Sequence, residues 1–192
     1  MDNRSLSFVL VALVMVCPAA GWGQSQYNCI ATANPPRLPV TRASGRVGPS
    51  RSPVRVQLTA GIADTWKATR HEVGSVPAGT MVEVLEDLIV VEAPDIVRVT
   101  ERIEGLNLKD GDTILRFARL GEGWADLWVP GCWYKEADAG FITEPDGGGC
   151  GGSHCAAKVT KMGSQMWWFR IRLPNGKVGW TLSQALDLSA GG

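Results

Sequence analysis

The chain has 192 residues, and its 19 Lys and Arg balance its 19 Asp and Glu. That balance excludes a global field of the kind that gathers nucleic acid or an anionic membrane surface. With 45% hydrophobic residues the chain is long enough for one domain with a sizeable core.

Met1 and Arg4 precede an apolar run, Leu6 to Cys17, followed by "PAAGWGQ". The run holds about 12 residues, whereas a membrane-spanning helix needs about 20. A basic start, a short apolar stretch and the small residues Gly21 and Gly23 before Gln24 predict a secretory signal peptide over residues 1–23. Ala20 is a second cleavage point. Cys17 lacks the small preceding residue of a lipidation signal and is expected to leave with the leader, so no membrane span is expected afterwards.

Residues 24–53 are punctuated by Pro35, Pro36, Pro39, Pro49 and Pro53. Proline fixes φ and removes donors, so this segment reads as an extended tail or linker. Residues 35–58 carry five arginines and no acid, while residues 83–112 carry nine acids against three bases. The simplest expectation is a basic tail lying on an acidic face.

From Val54 the pattern changes. "VRVQL", "TMVEVLE", "DIVRVTERI" and "TILRFARL" alternate with period two, as strands with one buried face do. The turn signals "PAGT", "KDGD", "GEG" and "PNG" stand between strands. No stretch holds a helical period, so the expected class is all-β, a small barrel or sandwich. In "WWFRIRLPNGKVGW", Phe169, Ile171 and Leu173 fall on one face of a strand, with Trp168, Arg170 and Arg172 on the other. Asn175-Gly176 tolerates the positive φ of a tight turn, and Val178, Trp180 and Leu182 return along the partner strand. Gly179 leaves space for another backbone or ring.

"VRVQLTAG" (54–61), a long loop (62–76), "PAGTMVEVLE" (77–86), "WFRIRLPNGKVGW" (168–180) and "TLSQALDL" (181–188) follow one another in a set order. This order resembles the bacterial SH3-like (SH3b) domain of exported proteins. Such a domain runs from a first strand through a long loop and a P-x-G-T turn to a second strand. A tryptophan-led hairpin, a 3₁₀ turn and a closing strand complete it. The resemblance implies an SH3-like barrel over residues 54–188. It also implies a non-catalytic binding module of the periplasm or cell envelope, taking peptidoglycan peptides or a protein partner. One departure is large: an insertion at about 88–165 separates the second strand from the hairpin. Inside it "WADLWVPG" (124–131) echoes "WFRIRLPNG" (168–176). The insertion is either a second, degenerate module or extra strands on one barrel. The short, glycine-rich 146–165 favours one elaborated barrel.

Four cysteines follow the leader: Cys29, Cys132, Cys150 and Cys155. An even count in an exported chain implies two disulfides, in one of three connectivities. The flexible "GGSH" favours Cys150–Cys155, which leaves Cys29 to staple the N-terminal segment to Cys132. The competing reading makes Cys150, His154 and Cys155 the start of a metal site in a periplasmic metal-binding protein. No G-x-S-x-G is present, and Cys and His crowded into one glycine-rich loop make a poor nucleophile–base pair, so no enzyme activity and no cofactor are expected. Most tryptophans in so small a barrel fill core. Where one face stays wet, Trp128, Trp133 and Trp168 are the candidate ligand-binding rings, with Arg170 and Arg172 available to carboxylates.

Overall fold

The alternating segments become strands. The computed structural model describes residues 27–43, 53–150 and 155–188; the expected leader 1–23, residues 44–52 of the expected tail and His154 lie outside them. The described residues are all-β, with two short 3₁₀ turns at Glu104–Leu106 and Ser183–Ala185. In chain order the strands are β1 (Cys29–Thr32), β2 (Val40–Arg42), β3 (Val54–Val56), β4 (Ala60–Ala63), β5 (Glu72–Val76) and β6 (Met81–Ala93). Next come β7 (Asp95–Val99), β8 (Thr113–Gly121), β9 (Trp124–Val129), β10 (Gly131–Asp138) and β11 (Ile142–Thr143). The last are β12 (Ala157–Lys161), β13 (Ser164–Arg172), β14 (Val178–Leu182) and β15 (Leu186–Asp187). No helix among them is long and apolar enough to cross a membrane.

Two sheets form. An eight-stranded sheet runs β15-β3-β6-β13-β14-β4-β5, with β2 also paired to β6. The P-A-G-T corner therefore lies against the terminal hairpin's sheet. Val56 N–H donates to Thr80 O at 2.9 Å, Gly79 N–H donates to Val56 O at 2.7 Å, and Glu83 on β6 faces Arg172 on β13. The inserted residues supply six additional strands, which with β1 build a second, seven-stranded sheet, β1-β10-β9-β8-β7-β12-β11. The Pro-rich segment is not simply a tail: β1 pairs with β10 and β2 with β6, so its backbone groups find partners at the edge of each sheet.

β6 explains how the sheets join. Its inward residues are Val82 and Val84 at one end and Ile89 and Val91 at the other, an odd offset that strict alternation cannot satisfy. A bulge answers this. Arg170 faces Glu86 but Ile171 faces Val84, so the phase of β6 flips and both halves point inward. Val82 and Val84 meet Val56, Ile62, Phe169 and Ile171 in one core. Ile89 and Val91 meet Phe117, Ala118 and Trp133 in a second, which fills the junction with the inserted sheet. Val97, Ile114, Leu127, Tyr134 and Ile142 belong to a third, inside that sheet. β6 and β13 run past the expected boundary at 88, and Ala93 pairs with Ser164. A Cβ at Gly163 would collide with the Ala93 carbonyl and the Pro94 backbone, so only glycine lets the chain re-enter there.

The inserted sheet also buries charge. Arg116 donates from Nε to Asp95 at 2.8 Å and as a fork to Glu144 at 2.6 and 2.9 Å. Burial pulls the guanidinium pKa down, but Glu144 and Asp95 outweigh it and hold it above its ordinary value. Asp126 accepts the Glu136 amide at 2.8 Å and lies 3.8 Å from Arg42. Burial is the strongest influence on it and raises its carboxyl pKa despite these partners. Arg42, on the basic N-terminal segment, also pairs with Glu136. Part of that segment thus does lie on acids, although on Asp126 and Glu136 rather than on the acid-rich 83–112. Both disulfides tie into this sheet: Cys29–Cys132 joins β1 to β10, and Cys150–Cys155 closes the loop between β11 and β12.

Candidate functional site

Between β4 and β5 the chain leaves the sheet and folds back. Asp64 N–H donates to His71 O at 3.0 Å, and His71 N–H donates to Asp64 Oδ1 at 2.9 Å. Arg70 N–H closes a turn onto Lys67 O at 3.0 Å. This double clasp lays the excursion over the outer face of β13 and β14. Trp66, Leu88, Met166 and Leu182 pack there against Val90, Trp168 and Trp180. The Arg70 guanidinium stands 5.3 Å from the centre of the Trp168 ring, within cation–π range. Gly179, beside them, admits Ile62 and the Ala63 carbonyl where a Cβ could not fit.

A cleft of about 480 Å³ opens along this seam, lined among others by Thr59, Gly61, Arg70, Glu72, Trp168 and Gln184. That volume suits a small ligand or a few residues of peptide. A Cβ on Gly61 would lie 3.3 Å from the Glu72 carboxyl carbon, so the bare glycine gives that carboxylate its room. The Trp168 indole Nε1 is buried with no hydrogen-bond partner among the described residues. A buried donor left unmade costs about 1–3 kcal/mol, and an acceptor brought to it would recover that. The cleft thus combines a cation, an anion and an aromatic wall. It can receive a molecule carrying both a carboxylate or carbonyl and an ammonium.

The five expected ligand-binding residues are not brought together. Trp128 and Trp133 face one another across β9 and β10 and pack into the junction core, with Trp133 edge-on to Phe117 at 4.9 Å. Trp168 lines the cleft, but as a buried wall rather than an open platform. Arg170 and Arg172 share its face and stay exposed, paired across the strands with Glu86 at 3.4 Å and Glu83 at 2.6 Å. Opposite faces do separate Trp167 from Trp168, yet both rings pack. Trp167 lies against the two inner cores and donates from Nε1 to Asp87 at 3.1 Å, because that stretch of sheet is covered on both sides. Cys150 and Cys155 are joined as a disulfide, which removes the two thiolates that the metal reading requires. Arg70 and Glu72 were not singled out in the sequence. Their signal was faint, since two opposite charges at i and i+2 point to one side only where the backbone is extended.

No protein-family model matches the chain, and neither a curated protein nor a solved structure does.

Proposed function

We propose that the protein is an exported, non-catalytic SH3-like binding module of the periplasm or cell envelope. In this reading the Trp168 cleft holds a short peptide bearing both amino and carboxylate groups, such as a peptidoglycan stem peptide. The single observation behind it is the cleft itself. Arg70, at the end of the clasped loop, and Glu72, at the start of β5, line it together with the Trp168 ring. Arg70 would take a carboxylate and Glu72 an ammonium, with the Trp168 ring as the wall between them. The element order also supports the SH3-like reading: β3, the clasped loop, the P-A-G-T corner, β6, the hairpin, a 3₁₀ turn and β15 follow one another as in that family. The leader-like start and the two disulfides support export.

Sedimentation with purified sacculi, followed by titration with soluble stem peptides, tests the proposal. Native protein is expected to co-sediment, and Arg70→Ala and Glu72→Gln, both in the exposed rim, to lose at least about 10-fold in affinity, the equivalent of one hydrogen bond to a charged group. Unchanged binding in both variants, or no binding by native protein, would rule out this cleft as the peptide site. Retention of an envelope protein without any peptide affinity would instead favour a structural accessory role.

A further inference from the structure

A second cleft, of about 560 Å³, lies at the β8–β9 turn of the inserted sheet and is lined by Leu120, Gly121, Glu122, Trp124 and Glu136. Its wall is the exception among the aromatic rings. Trp124 is 46% exposed and is the one aromatic among the large exposed hydrophobics of the described residues. The cause is local. Trp124, Asp126 and Trp128 alternate onto one face of β9. Trp128 is covered by the junction core, and Asp126 lies beneath Arg42. The cover stops there and leaves Trp124 bare at the strand's start.

Carboxylates surround the ring. Glu122 occupies the turn just before it, Asp138 is its cross-strand partner, and Glu136 lines the same cleft. Arg42 neutralises Glu136; Glu122 and Asp138 have no cationic partner among the described residues. An exposed indole presents a negative π face, and carboxylates at its edge deepen the attraction for a cation. Leu120 adds an apolar wall of the kind along which the methylene stem of a lysine or arginine lies while its charged head reaches for carboxylates.

We propose that this cleft is a docking site for a basic segment of a partner polypeptide, which inserts a lysine or arginine side chain between Trp124 and Leu120. It is separate from the Trp168 cleft and stands whether or not that cleft takes peptides.

The test uses the full chain with its tryptophans ¹⁵N-labelled, so that each indole N–H gives its own signal. A capped Gly-Lys-Gly peptide is expected to shift the Trp124 indole signal saturably, and a capped Gly-Glu-Gly peptide to leave it unmoved. Trp124→Leu keeps an apolar contact but loses the π face, and is expected to weaken lysine-peptide binding at least about 5-fold, with Glu122→Gln weakening it about 2- to 3-fold. The shift should shrink as salt rises. Because Trp124 is exposed, both variants are expected to melt as native protein does. The proposal is overturned if the acidic peptide shifts the signal equally, if Trp124→Leu binds as well as native protein, or if no shift occurs. It is also overturned if Arg46→Ala/Arg51→Ala moves the Trp124 signal with no peptide present, for then the chain's own basic segment is the occupant.

Discussion

The two sheets are held together by different physics. In the eight-stranded sheet the buried side chains of the first core are apolar: Val56, Ile62, Val82, Val84, Phe169 and Ile171. The seven-stranded sheet has an apolar core too, but it adds Arg116, Asp95 and Asp126 below the surface and both disulfides. Apolar packing does not titrate and is indifferent to reductant, whereas ion pairs answer to pH and screening and cystines to reductant. One chain therefore carries a body in which Asp87 is the one buried charge among the described residues and volume changes should dominate, and a second that answers more strongly to its chemical surroundings.

Arg116→Ala should break this contrast hardest. It takes from buried Asp95 the nearer of two guanidinium groups, leaving Arg119 at 3.8 Å, and frees the Glu144 fork; removing one partner of a buried pair costs up to about 3–5 kcal/mol. Hydrogen exchange followed strand by strand in urea should show β7, β8 and β11 losing protection before β13 and β14. Equal loss in both sheets would mean that they unfold as one unit. Phe169→Ala is the mirror experiment. Deleting a fully buried ring costs about 3–4 kcal/mol, and exchange should rise first in β3, β4 and β14. Its effect should be the same with or without reductant.

Cystine removal comes next. Cys29 and Cys132 are 103 residues apart, so opening that link in Cys29→Ser/Cys132→Ser releases a long loop and should lower stability by about 3 kcal/mol. Opening Cys150–Cys155, only 5 residues apart, should cost clearly less. Urea midpoints of the two double variants check the order, and a reversal would assign the N-terminal strand no role in holding the inserted sheet. Asp126→Asn gives the smallest effect and sharpens the pH side of the comparison. The folded protein holds this proton more tightly than the unfolded chain, because burial raises its pKa. Stability from this group is therefore lost as pH rises from the ordinary carboxylate value, about 3.9, through the raised one. In Asp126→Asn that decline should vanish from a urea-melt series taken across the window. A steeper decline in the variant would contradict the sign.

What could be read from residues alone follows the same divide. Period two placed Phe169 and Ile171 opposite Trp168 and Arg170, because alternation is a local property of extended chain. The cysteine pairing was also legible, since a glycine-rich spacer can bring two sulfurs together over 5 residues. Alternation does not say what covers the second face. Trp128, Trp133 and Trp168 therefore read as candidates for a wet surface, although partners distant in the chain bury Trp133 and Trp168 and half-cover Trp128. β1 and β2 were hidden for a related reason: they are only 4 and 3 residues long, Pro35, Pro36 and Pro39 lie between them, and only their long-range pairing with β10 and β6 makes them strands. Arg70 and Glu72 sit at the end of an aperiodic loop whose course is set by Asp64 and His71, a clasp no periodicity announces.

The adjacency of Ala93 and Ser164 makes residues 94–163 a cassette. Every strand of the eight-stranded sheet lies outside it, and its ends leave and return at neighbouring rungs of a single ladder. Such an arrangement lets six of that sheet's seven strands, all but β1, be acquired, exchanged or excised by joining two residues already side by side, without re-threading the host. A short turn spliced there would yield a miniature that keeps the Trp168 cleft and lacks the Trp124 one, and the same ladder end could accept a foreign sheet as a graft.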